Sequence, residues 1–214
     1  MGRTQPGRAV GSGRCLSFAA RIAGVVAIAP PTHFHAHDAL RKLLPYAFLA
    51  TGRGHRFLAR AATPIAGWFH PALAQFAWNS RNIDVRIYRQ VLANVVEDVP
   101  ARVLDQFLDW MRRDRFTSVD GLTDYRAGLS GARQPALFIA GAVDLLAPPA
   151  AVRAAYEVWA GEKEYWVAGR VCGLSVDYGH SDLIFGRRAP DEIYPRLLSW
   201  LQARSEITAR RAPA

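Results

Sequence analysis

Short, continuously apolar runs alternate along this chain with longer stretches in which apolar residues recur every three or four positions. A continuous apolar run of strand length, closed by a turn, reads as a strand buried on both faces of a parallel sheet. Three runs fit: Arg21 to Ala29, closed by Pro30 and Pro31; Ala136 to Gly141; and Glu164 to Ala168. Elsewhere the helical period takes over. Asp38 is placed to cap a helix through about Ala50, which Gly52 and Gly54 break, and a short helix from His55 to Ala62 precedes Pro64. The clearest helix follows Asp84, with Val85, Tyr88, Val91, Leu92 and Val95 at helical spacing. The next has Pro100 in its first turn and an apolar face of Val103, Leu104, Phe107, Leu108 and Met111. A turn-rich linker from Thr117 to Gly131 leads into the second strand. Pro148 and Pro149 then open a helix that lines up Val152, Ala155, Tyr156 and Trp159. The closing helix starts near Pro190 and sets Ile193, Leu197, Trp200 and Leu201 on the sheet. Residues 1–20 are rich in Gly and Arg without a period, and the chain beyond Arg204 reads as a loose tail. Strands and helices in this alternation give an α/β fold around a mostly parallel sheet, occupying residues 21–204.

Composition sharpens this in three ways. Half of the 214 residues are apolar, enough for one buried core, and no apolar run reaches the length of a bilayer span. The net charge of +9 comes from 27 basic and 18 acidic residues, and only Lys42 and Lys163 are lysines. Nucleic-acid binding would need these charges on one face. The arginines are instead scattered through every segment, as on a solvated surface, so no nucleic-acid partner is expected. Cys15 and Cys172 make neither a disulfide framework nor a metal set, which points to a reducing, cytoplasmic setting. Arg3, Arg8 and Arg14 ahead of the run ending Ala27-Ile28-Ala29 resemble a secretory leader, but Arg21 interrupts the apolar region.

Candidate chemistry collects at two strand ends. The run from Ala136 breaks at Gly141 and presents Asp144; 36 residues later the loop Asp177-Tyr-Gly-His-Ser-Asp182 presents His180. Ligands and catalytic groups of open α/β sheets sit at such ends. A neutral imidazole takes a proton from a hydroxyl nucleophile, and a carboxylate fixes its tautomer and stabilises the imidazolium. Asp177 and Asp182 compete for the acid role, but they lie too close to His180 in sequence to come from a separate strand end. His33, His35 and His37 alternate and would share one face of a strand, as metal ligands do. After Pro30 and Pro31 they read more simply as a loop cluster, and no metal is expected. His55 and His70 have no partner pattern.

The ordered pair, Gly-x-x-Asp at 141–144 and Gly179-His180, resembles the last two members of the Ser, Asp, His triad of the α/β-hydrolase fold. The run Gly186-Arg-Arg-Ala-Pro-Asp-Glu-Ile-Tyr-Pro-Arg-Leu-Leu-Ser-Trp-Leu201 is similar to that of its lipase, esterase and polyester-synthase-like branches. The resemblance extends loosely from Arg21 to Leu201. It implies Asp144 and His180 as catalytic acid and base, a helical cap at about 38–115 inserted over the site, no cofactor, and a small apolar ester as substrate. Phe48, Phe57, Trp68, Phe69, Phe76, Trp78 and Trp110 fall in that cap, as core between cap and sheet or as the lining of an apolar mouth.

The nucleophile elbow, Gly-x-Ser-x-Gly, does not occur. Gly11-Ser12-Gly13 comes nearest, but only 9 positions separate Ser12 from Arg21, too few for a helix that crosses the sheet and returns. Ser17 has no glycine neighbours. The strands that should precede the elbow are missing too, so the expected function is a carboxylic ester hydrolase, truncated and inactive as written for want of a nucleophile. The alternatives are a non-catalytic hydrolase-like binding module and an acyltransferase of the polyester-synthase type; a basic nucleic-acid-associated protein rests on charge alone.

Overall fold

The structure, a computed structural model, describes residues 22–34, 55–66, 76 and 78–211. Three parallel strands form one sheet in the order β1 (Val25–Ile28), β2 (Ala136–Gly141), β3 (Lys163–Ala168). Val25 pairs with Ala136 and Ile28 with Ile139; on the other side Ala136 pairs with Lys163 and Gly141 with Ala168. All six residues of β2 are buried, which is why this strand carries no polar side chain. The run that resembled a leader's apolar region thus supplies β1.

Around the sheet run α1 (His55–Ala62), α2 (Val85–Asn94), α3 (Ala101–Arg113), α4 (Tyr125–Leu129), α5 (Pro149–Val158), α6 (Asp182–Phe185), α7 (Ala189–Glu192) and α8 (Tyr194–Arg211). The core joins β2 and Trp166 of β3 to Val152 and Ala155 of α5, Ile193, and Trp200 of α8. The Trp200 indole N–H donates to Glu164 Oε1 at 2.8 Å, fixing α8 against β3.

Local chemistry explains several boundaries. Asp84 caps α2 by accepting from the Arg86 amide at 2.7 Å, and Val91 and Tyr88 turn inward. α3 ends at Asp114, whose backbone is left-handed with φ of 46°. Its carboxylate accepts from the Phe34 amide and pairs with Arg126 at 2.9 Å, and the Arg126 Nε donates to the Thr32 carbonyl. This clamp ties the segment leaving β1 to α3 and α4. Phe34, fully buried, lies against Phe107, Trp110 and Phe116.

Several expectations are corrected. Pro100 is the capping residue before α3 and lies outside its first turn. Val103 and Leu201 are exposed, so each stripe is wider than the surface it covers. The linker after Thr117 contains α4, whose cap is Asp124, accepting from the Ala127 amide. Helix α8 continues to Arg211, past the Arg204 end point. Phe57 is 74% exposed and joins neither core cluster among the described residues, whereas Trp110 donates its indole N–H to the Thr117 carbonyl and Trp78 packs on Tyr88. The helix after Asp38, His35, His37, Phe48, Trp68, Phe69, His70, Ser12, Ser17 and Cys15 lie outside the described residues.

Candidate active site

Two loops meet at the carboxyl edge of the sheet. β2 continues past Gly141 when the Ala142 amide donates to the Ala168 carbonyl and the Val143 amide to the Tyr178 carbonyl, both at 3.0 Å. The second bond binds the Asp144 turn to the His180 loop. Close approach dictates Gly141: a Cβ there would sit 2.5 Å from the Tyr178 carbonyl oxygen and 2.6 Å from that of Gly179.

Asp144 is buried, and its Oδ1 accepts from the Leu146 and Ala147 amides, each at 2.8 Å. This leaves Oδ2 facing His180 Nδ1 at 2.9 Å. An ionised carboxylate only accepts, so opposite one a neutral imidazole carries its proton on Nδ1 and presents a lone pair at Nε2. The imidazole is partly exposed, with 31% of its side-chain surface open, and Nε2 has no hydrogen-bond partner among the described residues. Such a pair orients a base and holds its cation once formed.

The two competing aspartates have other tasks. Asp177 Oδ1 accepts from the Arg170 amide at 2.9 Å. Asp182, fully buried, accepts at Oδ1 from the amides of Gly179 (2.9 Å) and Asn79 (3.1 Å), and at Oδ2 from the Asn82 side-chain amide (3.0 Å). Sequence reasoning missed Asn79 and Asn82, which bring the loop before α2 onto the His180 loop. The Tyr178 hydroxyl donates to Glu192 at 2.8 Å, and burial, reinforced by that acidic partner, pushes the phenol up.

Elsewhere, a groove of about 730 Å³ between α3 and the turn at 117–121 is lined by charged residues such as Arg102, Asp105, Asp109 and Arg113. Neither Asp144 nor His180 lines it, so it is separate from the site. Among the described residues no group of three metal-ligating side chains occurs, and no helix is long and apolar enough to cross a membrane. His33 is buried beside Thr32, whose Oγ1 lies 2.9 Å from its Nδ1.

No family model matches this sequence, and neither does any curated protein. Among solved structures, a thermophilic esterase from Thermogutta terrifontis, determined with malate bound, matches at a TM-score of 0.52 and 16% identity, covering 89% of this chain. The fold is α/β-hydrolase-like. At that identity the likeness speaks to the fold alone, and this chain spans 59% of the length of the esterase chain. The Mycobacterium tuberculosis protein Rv0554 matches at a TM-score of 0.37 and 14% identity over 85% of this chain and 57% of its own, which carries no weight here.

Within this site Asp182 makes stability depend on pH. Burial raises the Asp182 carboxyl above the usual aspartate range, outweighing the opposing hydrogen bonds from Asn82, Gly179 and Asn79. The native state then holds this proton more tightly than the unfolded chain does. Stability due to Asp182 therefore falls as pH rises from the unfolded value to the raised native one, and is level above it. Asp182→Asn removes the titration. The stability of wild type relative to this variant is expected to decline as pH rises from about 4, read from urea midpoints across the pH range; an unchanging difference would contradict the raised value.

Proposed function

We propose that the chain carries the acid and base of a carboxylic ester hydrolase of the α/β-hydrolase type, with His180 as general base and Asp144 as its orienting carboxylate. The observation that carries this reading is the 2.9 Å contact from His180 Nδ1 to Asp144 Oδ2, on a carboxylate whose other oxygen is held by two backbone amides. Nε2 takes a proton from a hydroxyl or a water as it attacks the ester carbonyl, and returns it to the leaving alcohol. The segment at about 38–115 acts as the cap, and the substrate is a small apolar ester of the kind met by the lipase, esterase and polyester-synthase-like branches. Transfer of the acyl group to a second alcohol uses the same two residues, so a polyester-synthase-type acyltransferase is the neighbouring reading.

The lack of a Gly-x-Ser-x-Gly elbow favours a second reading, a hydrolase-like module that binds without turning over. A short-chain chromogenic ester separates the two. The expected result is little or no turnover, on the order of a millionfold below a complete triad; a residual rate that disappears in His180→Ala supports the acid–base reading, and one indifferent to His180 favours the binding module. A fluorophosphonate probe is expected to leave the chain unlabelled. Stoichiometric labelling at Ser12, abolished by Ser12→Ala and by His180→Ala, would instead make the triad complete.

A further inference from the structure

We propose that Asp182, Asn79 and Asn82 form a positioning latch that sets the orientation of His180 and couples it to the helical segment between β1 and β2. The proposal rests on the reading of His180 as a base for its catalytic meaning, but its geometry stands alone.

A buried carboxylate is costly unless its lone pairs are filled, and Asp182 fills them from two directions. The Gly179 amide, immediately before His180, closes the turn 179–182 on Oδ1 from within the loop. The Asn79 amide reaches the same oxygen from outside it, and the Asn82 side chain takes Oδ2. The asparagines make further bonds to this loop and to the turn that follows α6. Asn79 Nδ2 donates to the Asp177 carbonyl at 2.7 Å, while the Asn82 carbonyl accepts from the Arg187 amide at 2.6 Å and Asn82 Oδ1 from the Arg188 amide at 3.3 Å. Residues on both sides of His180 are thus held by the two asparagines.

The fit leaves no slack. A Cβ on Gly179 would meet Asp182 Oδ1 at 2.8 Å and the Asn79 nitrogen at 2.9 Å, and one on Gly186 would overlap the Asp182 carbonyl oxygen and Asn82 Nδ2. His180 itself is held to Asp144 by one hydrogen bond and is partly exposed, so its ring direction depends on where the turn 179–182 places its backbone. Because residues 79–82 lead directly into α2, displacement of that helix displaces the imidazole. This gives the helical segment a lever on the base.

An exchange of partners tests the latch. In Asp182→Asn the new amide confronts the Asn82 amide, donor against donor; in Asn82→Asp two carboxylates confront each other. In the double variant Asn82→Asp/Asp182→Asn the bonds that join positions 82, 182 and 188 are rebuilt, and only the Asn82 bond to the Tyr178 hydroxyl is lost. The amide oxygen now at position 182 accepts from the Gly179 and Asn79 amides, and the amide nitrogen beside it donates to the carboxylate now at position 82, which still accepts from Arg188. The readout is the long-range proton–nitrogen spectrum of His180 in the full chain, which reports the protonated ring nitrogen without requiring activity. We expect a single pattern protonated at Nδ1 in wild type, loss of that single pattern in each single variant, and its return in the double variant. Asn82→Ala, which leaves both amide donors in place, serves if a single variant does not fold, and the same loss is expected. Single variants that fold and keep the wild-type pattern, or a folded double variant that does not regain it, would overturn the latch alone. A wild-type His180 not protonated at Nδ1 would overturn the acid–base reading as well.

Discussion

Gly141→Ala is expected to cost about 1–3 kcal/mol of stability and to break the hydrogen bond between Asp144 and His180. The added methyl would lie 2.5 and 2.6 Å from two carbonyl oxygens of the His180 loop, and both belong to backbone. The Tyr178 carbonyl is already engaged by the Val143 amide, so relief requires the two loops to separate as units. That movement lengthens the contact between Asp144 Oδ2 and His180 Nδ1. Gly128→Ala is the matched control. Its Cβ meets nothing within 4 Å on α4, and the same chemical change there should be neutral or gain about 0.4–1 kcal/mol by restricting the unfolded chain. Urea unfolding of the two variants measures the difference. Equal stabilities would mean that the loops do not approach as closely as the structure has them.

The same close approach explains what is readable from sequence. Strands β1, β2 and β3 are legible because a parallel strand covered on both faces must be apolar without interruption. Asp144 and His180 are legible because each follows such a run at a glycine-marked turn. The exposure of Val103 and Leu201 is not, since helical spacing fixes which residues share a side but not how far the neighbouring element extends over it. Helix α4 escapes because five residues show no period, and its signal is a single capping aspartate within a polar linker. In sequence Asp182 reads as a rival to Asp144 because its partners Asn79 and Asn82 lie 103 and 100 residues away. An asparagine in a turn-rich stretch looks the same whether it faces water or a buried carboxylate.

Asp144→Asn is expected to transfer the proton of the His180 ring from Nδ1 to Nε2 while leaving the fold in place. In this variant the side-chain oxygen at position 144 remains the acceptor for the Leu146 and Ala147 amides, whose 2.8 Å bonds hold the side chain in one orientation. The amide nitrogen must then face His180, and a donor in that place is matched only by a lone pair on Nδ1. With the proton moved to Nε2, the ring has nothing with which to accept a proton from a hydroxyl or a water. Any His180-dependent ester turnover should fall by about 10⁴-fold. Asp144→Ala separates structure from chemistry, because it leaves both amides without their acceptor and should cost about 1–3 kcal/mol more stability than the asparagine variant. The long-range proton–nitrogen spectrum of His180 decides the matter. A ring still protonated at Nδ1 in folded Asp144→Asn would mean that Asp144 does not choose the tautomer, and the role assigned to it as orienting carboxylate would be lost.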